Sequence, residues 1–232
     1  MASLFQCSVV AVTLVAASLQ LSARTVNARL VYFSPSSDDP KEMYAVGPSE
    51  DESVTCQPTS SVTSDPVVCP VGGSGKVTFA KSATGNEVLA SASVPAGVTQ
   101  AVFFFLKNPD STGNGARYQV LVVDESNRAL PGGGSYVCNI TPKSTRVTIG
   151  EFKYELTPGK SVLVNRPKTD PYNMAPFQVQ IQNDDGWAPV KDSSMRFAEV
   201  ERYFMIIFPD RGVRPTVKIY KQPVPNAMPQ AR

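Results

Sequence analysis

The feature that most constrains this chain is an internal repeat. The run Val102-Phe103-Phe104-Phe105-Leu106, the pair Pro109-Asp110 and the apolar stretch from Tyr118 to Val123 recur further on. Their counterparts are Tyr203-Phe204-Met205-Ile206-Ile207-Phe208, Pro209-Asp210 and Val217 to Tyr220. Upstream, Val77-Thr78-Phe79 and a turn at Gly85 match Val179-Gln180-Ile181 and a turn at Gly186, and Tyr32 matches Tyr136. Offsets between 100 and 104 residues, as loop insertions would produce, divide the 232-residue chain into two similar units. Each is large enough to bury its own core.

The units read as strands. Apolar runs of four to eight residues recur between Gly, Pro, Asn and Asp, and they include Leu30–Phe33, Thr99–Leu106, Ser135–Ile140 and Arg202–Phe208. Phe177-Gln-Val-Gln-Ile-Gln182 alternates strictly, which places one face on a core and the other in water. Val102–Leu106 and Tyr203–Phe208 are apolar almost throughout, as in central strands covered on both faces. Ile149-Gly150-Glu151-Phe152 carries the Gly-first signature of a two-residue hairpin, and Asn183-Asp184-Asp185-Gly186 closes another. Sustained helical periodicity is confined to the N-terminal segment, with short helical turns expected at most around Asp124–Ala129 or Ser193–Phe197. The expected fold class is all-β: two tandem Ig-like antiparallel β-sandwich domains, 24–130 and 131–222, preceded by a signal-peptide helix. The boundary falls at Leu130-Pro131-Gly132-Gly133-Gly134, and residues 223–232, rich in proline, read as a disordered tail.

Residues 1–23 contain no Lys, Arg, Asp or Glu, and Val9 to Leu21 is apolar with small residues. Leu21-Ser22-Ala23 precedes Arg24, so the segment reads as a secretory signal peptide cut after Ala23 or as late as Ala28. Retention as a membrane anchor is the alternative. No other segment is apolar for long enough to span a bilayer. Cys7 falls in the segment to be removed. Cys56 and Cys69 flank a polar Ser/Thr/Pro loop and are expected to form a disulfide in an oxidising compartment. Cys138, inside an apolar strand pattern, is expected to be a buried free thiol.

The chain has no histidine, which removes Ser–His and Cys–His nucleophiles and the commonest zinc and iron sites. Gly72-Gly73-Ser74-Gly75-Lys76-Val77 departs from a phosphate loop, with Pro70 at the first glycine and Val77 at the magnesium ligand. Asp38-Asp39, Glu50-Asp51-Glu52 and Asp184-Asp185 sit in loops and turns, where Asp bonds its own backbone. No metal, cofactor or catalytic residue is therefore expected. A net charge of +2 gives no reason to expect nucleic acid. Asn139-Ile140-Thr141 is a glycosylation sequon, but it lies in a strand and precedes Pro142, so no glycan is expected.

One stretch carries a resemblance. Pro131-Gly-Gly-Gly-Ser-Tyr136-Val-Cys-Asn-Ile-Thr141-Pro142, then Val147-Thr-Ile-Gly150, then Leu156-Thr-Pro158-Gly159-Lys160-Ser161 resembles a pattern in exported bacterial β-sandwich proteins of unknown function. It covers residues 130–221 clearly and 29–124 weakly, and the loop between Cys56 and Cys69 departs from it. The resemblance implies location and fold, without an activity. The expectation is an exported, non-catalytic structural or binding protein of the cell envelope, secreted or periplasmic. Its partner would be a cell-envelope protein or polysaccharide. Two alternatives stand: a carbohydrate-binding module using Trp187 and Tyr172, and a hydrolase acting through Asp or Glu.

Overall fold

The computed structural model describes residues 24–108, 116–209 and 215–224. The signal-like segment, Cys7, the repeated Pro109-Asp110, Asp210 and the tail from 225 on lie outside the described residues. The first half contributes β1 (Arg24–Tyr32), β2 (Met43–Ala45), β3 (Val54–Cys56), β4 (Val67–Val71), β5 (Lys76–Ala80), β6 (Val88–Ser93), β7 (Gln100–Lys107) and β8 (Tyr118–Asp124). The second contributes β9 (Ser135–Asn139), β10 (Thr145–Ile149), β11 (Phe152–Leu156), β12 (Ser161–Val164), β13 (Met174–Asn183), β14 (Gly186–Arg196), β15 (Glu201–Pro209) and β16 (Pro215–Pro223). The only helical element among the described residues is a single 3-10 turn at Glu50–Glu52.

The strands form four four-stranded sheets. Sheet I has the order β4-β1-β7-β8 and sheet II the order β3-β2-β5-β6. Sheets III (β12-β9-β15-β16) and IV (β11-β10-β13-β14) repeat these orders with every strand number raised by eight. The repeat is thus one of topology as well as sequence. It extends to a register irregularity, between Phe79 and Ala80 in one copy and between Val179 and Gln180 in the other.

Three expectations are corrected. The sheets are not wholly antiparallel: β1 runs parallel to β7, and β9 parallel to β15. These strands are joined across the other sheet rather than by a hairpin, so nothing forces them to oppose. Second, Tyr136 corresponds to Val31 rather than Tyr32. Val31 pairs with Phe104 and Tyr136 with Phe204, the equivalent phenylalanines. A slip of one residue reverses the face, and Tyr32 and Tyr136 indeed occupy different cores. The shared bulge likewise makes Phe79 the counterpart of Val179, an offset of 100 residues. Third, Ser193–Arg196 belongs to β14 rather than a helical turn.

Three apolar clusters lie between successive sheets, giving the stack II–I–III–IV. The first joins sheets II and I and holds Phe79, Phe103 and Phe105. The third joins sheets III and IV and holds Phe177, Tyr203 and Met205. The middle one joins the halves: Val31, Val102, Phe104 and Val123 meet Tyr136, Cys138, Phe204, Ile206 and Tyr220. The unbroken apolar runs now have a cause. In β7, Ala101, Phe103 and Phe105 enter the first core while Val102 and Phe104 enter the middle one. β15 divides in the same way, Tyr203, Met205 and Ile207 against Phe204 and Ile206.

The three glycines between the halves form a packed turn. Gly133 has φ 76° and donates to the Glu201 carbonyl at 2.6 Å. A β-carbon there would stand 2.5 Å from Arg166 Cδ, and one on Gly132 would overlap the Glu199 carbonyl. The glycines permit close approach of three chain segments. Past the expected second domain, Pro223 pairs with Glu201 in the sheet and Val224 is buried with its amide donating to the Val200 carbonyl, so both are packed against the fold.

Candidate functional site: a polar cavity where the halves meet

The middle core is apolar along most of its length and closes on polar groups at both ends. At one end, Lys218 Nζ and Tyr220 Oη on β16 both donate to the carbonyl of Phe33. At the other end the polar groups are charged. Arg202, on β15, is 2 % exposed, Gln222, directly opposite on β16, is 3 % exposed, and Glu125, just past β8, is 6 % exposed. Arg29, on β1, completes the cluster.

The contacts cross the seam. Arg202 donates to the Glu125 carbonyl and, at 2.8 Å, to Asn127 Oδ1. Gln222 Nε2 donates to Glu125 Oε2 at 2.6 Å and to the Val62 carbonyl at 3.2 Å. Arg29 Nε approaches the same carboxylate oxygen at 3.3 Å, and another of its guanidinium nitrogens donates to the Ser64 carbonyl. Burial pushes the Glu125 carboxyl above its ordinary range against the pull of Gln222, Arg29 and Arg202. Burial also lowers Arg202, with Glu125 opposing. These groups, with Asn27, Pro66 and Gln100, line a cavity of about 260 Å³. Asn27, Pro66 and Gln100 are exposed and form its mouth.

Sequence reasoning missed this cluster. Its signal was the repeat itself: the residue 100 positions before Arg202 is Val102, and the cross-strand partner of Val102 is Val123, where Arg202 has Gln222. Both valines are buried in the middle core. An arginine inside an otherwise apolar strand, facing valine in the sister copy, marks the place.

The residues singled out in advance lie elsewhere. Trp187 is half-buried on β14 opposite Gln182, with the Arg146 guanidinium 3.9 Å from its ring centroid. It is outside the buried membership of the second half's core, and one ring face is covered by a cation. Tyr172 is 79 % exposed, just before β13, whereas Trp187 pairs with the other end of that strand. Ten residues of strand separate the two positions by roughly 30 Å, too far for one sugar site. Cys56 and Cys69 are fully buried, on edge strands of the facing sheets II and I, with their thiols near enough to influence each other. The neighbouring Cys56 thiol, with burial, pushes the Cys69 thiol far above its usual range. Cys138 lies buried in the middle core, away from this pair.

In the first acidic loop, Asp39 has a structural role. Burial works against ionisation of Asp39, but hydrogen bonds from Tyr118 and the Ser36 amide, with Lys107 nearby, hold it below the usual carboxylate range. No group of three or more metal-binding side chains occurs among the described residues. The sequon asparagine, Asn139, is buried and donates to the Lys143 and Leu156 carbonyls at 2.8 and 2.9 Å, which leaves its amide nitrogen committed. A second hollow, about 800 Å³ and mostly apolar, lies at the open edge between β3 and β4. Its one cationic wall residue, Arg24, is bonded to the carbonyls of Pro95 and Val98 at 2.5 and 2.7 Å.

Compared with known proteins, the chain matches no family model and no curated sequence. No helix among the described residues is long and apolar enough to cross a membrane.

Proposed function

We propose that this chain is an exported, non-catalytic structural or binding protein of the cell envelope, secreted or periplasmic, built from two Ig-like sandwich units. Its partner class is a cell-envelope protein or polysaccharide. The export reading rests on the uncharged apolar segment 1–23 with Leu21-Ser22-Ala23 before Arg24, and the fold bears on where it would be cut. Among the described residues, the ladder that holds edge strand β4 takes in Arg24 to Ala28 of β1, which follow the first expected cleavage point. Cleavage after Ala23 leaves that ladder whole. Cleavage after Ala28 would remove all five residues of β1 that pair with β4, together with the Arg24 bonds to the β6–β7 connection. The structural or binding role is supported by the middle core, which locks the units together and presents sheets II and IV as two outward platforms. The cavity at the seam is lined by one carboxylate, whereas acid–base glycoside hydrolysis uses two.

The test is expression of the full chain, fractionation, and mass spectrometry of the N-terminus. A species beginning at Arg24 in the extracytoplasmic fraction is the expected result. A cytosolic species retaining residues 1–23 overturns the reading.

A further inference from the structure

We infer that the cavity at the seam is a binding site for a small zwitterion, a molecule carrying a carboxylate beside a protonated amine, of which a free α-amino acid is the simplest example. The inference is independent of where the chain resides.

Two atoms point to it. Arg202 Nε and Gln222 Oε1 are buried and find no hydrogen-bond partner among the described residues, and both side chains line the cavity. Buried polar atoms are almost always satisfied, so each such atom calls for an explanation. The orientation of the Gln222 amide is fixed, because its nitrogen already serves two acceptors, Glu125 Oε2 and the Val62 carbonyl. The free atoms are therefore one cationic donor and one neutral acceptor. An anion would satisfy only the first and a cation only the second.

The charges agree. Arg29 and Arg202 bring two positive charges and Glu125 one negative charge to the same cavity. A ligand carboxylate would accept from Arg202 Nε, and a ligand ammonium would donate to Gln222 Oε1 with the Glu125 carboxylate beside it. The volume, about 260 Å³, is several times the roughly 30 Å³ share of one water and falls below the range of drug-sized pockets. The exposed mouth at Asn27, Pro66 and Gln100 opens the cavity to solvent, and because the two free atoms are themselves closed to solvent, a ligand engages them only as the Arg202 and Gln222 side chains shift.

The repeat shows that a sheet of this kind can be built without these groups. At the equivalent place the first half uses the buried pair Val102 and Val123. Charged and amide side chains carry a desolvation cost there that valines do not. Bonds across the seam account for the other nitrogens of these side chains, and a ligand would account for the two atoms left over.

The experiment is titration of the full chain with three probes, L-alanine, acetate and methylammonium, followed by calorimetry and by the shift in Tm. L-alanine should bind at least roughly tenfold more tightly than either half-probe, because each half-probe leaves one buried partner unmet. The double variant Arg202→Val with Gln222→Val, which recreates the pair of the sister copy, should lose the response to L-alanine while still unfolding cooperatively. Equal responses to the three probes, or none, would overturn the site and leave bridging waters as its occupants. An undiminished L-alanine response in a folded double variant would overturn it too. Probe selectivity is read on the unmutated protein, so the test stands even where the variant fails to fold.

Discussion

Phe104→Ala is the perturbation that most directly probes how the two halves are joined. Phe104 is fully buried in the middle core, with ring centroids 5.7 Å from Phe204 and 5.2 Å from Tyr220, both in the other half. Truncation removes a ring's worth of burial and leaves a cavity between two sheets that other contacts hold in place. Fully buried Phe→Ala changes cost about 3–5 kcal/mol. For a protein of this length each kcal/mol lowers Tm by about 2–4 °C, so the shift should be about 6–20 °C. The same cost at Phe103, which faces the first core, would say nothing about the seam, so the informative quantity is coupling. A double-mutant cycle between Phe104→Ala and Phe204→Ala should return about 0.5–1.5 kcal/mol, the value of an aromatic pair beyond its area. Calorimetry should show one transition in the parent and a broadened or split one in Phe104→Ala, as the halves begin to unfold separately. A cost below about 1 kcal/mol, well under the range for a buried phenylalanine, would refute the stacked arrangement, and so would a cycle that is additive within error.

Three further outcomes follow from the same structure. Gly133→Ala meets both a left-handed φ of 76° and the Arg166 side chain, and should cost at least about 1–3 kcal/mol in urea unfolding, whereas a flexible linker would tolerate it. Asp39→Asn should lose about 1.5–3 kcal/mol at neutral pH through the bonds from Tyr118 and Ser36. Because folding lowers the Asp39 pKa, its contribution is present above the unfolded value of about 3.9 and fades as pH falls through the folded one. The gap between variant and parent should therefore be flat above about pH 5 and close in acid; a gap that widens in acid would contradict this sign. Finally, protein recovered from an oxidising compartment and unfolded without reductant should titrate a single thiol, Cys138, with Cys56 and Cys69 bridged across their sheets. Such a bridge closes a loop of roughly 13 residues and is worth about 3 kcal/mol, and three free thiols would refute it.

Much of the architecture was legible because it is written in short-range patterns. The two-residue hairpin at Gly150 and Glu151, with Ile149 paired to Phe152 and Gly150 at φ 56°, needed only knowledge of turn chemistry. The alternation of Phe177 to Gln182 identified its buried face. Strands β2, β3 and β4 escaped, since they are three to five residues long and Pro70 interrupts the last. The hairpin turn at Asn183–Gly186 implied a strand after it, but the course of β14 was obscured because Pro189, Asp192, Ser193 and Ser194 have little strand preference, and pairing with β13 along its length overrides it.

The sequence by itself determined that the chain is built of strands, that it repeats, and which side chains in each strand seek a core. Those properties depend on residue spacing and on the alternation of side chains along an extended backbone. Only the tertiary structure decided that β1 lies parallel to β7, that Val31 rather than Tyr32 answers Tyr136, and that sheets I and III share a third core. Tertiary structure also gathered Arg29, Glu125, Arg202 and Gln222, drawn from four separate parts of the chain, around one cavity. Contacts of that kind join residues 75 to 185 positions apart, as between Arg202 and Asn127 or Lys218 and Phe33. No local pattern encodes which distant strand a given face will meet.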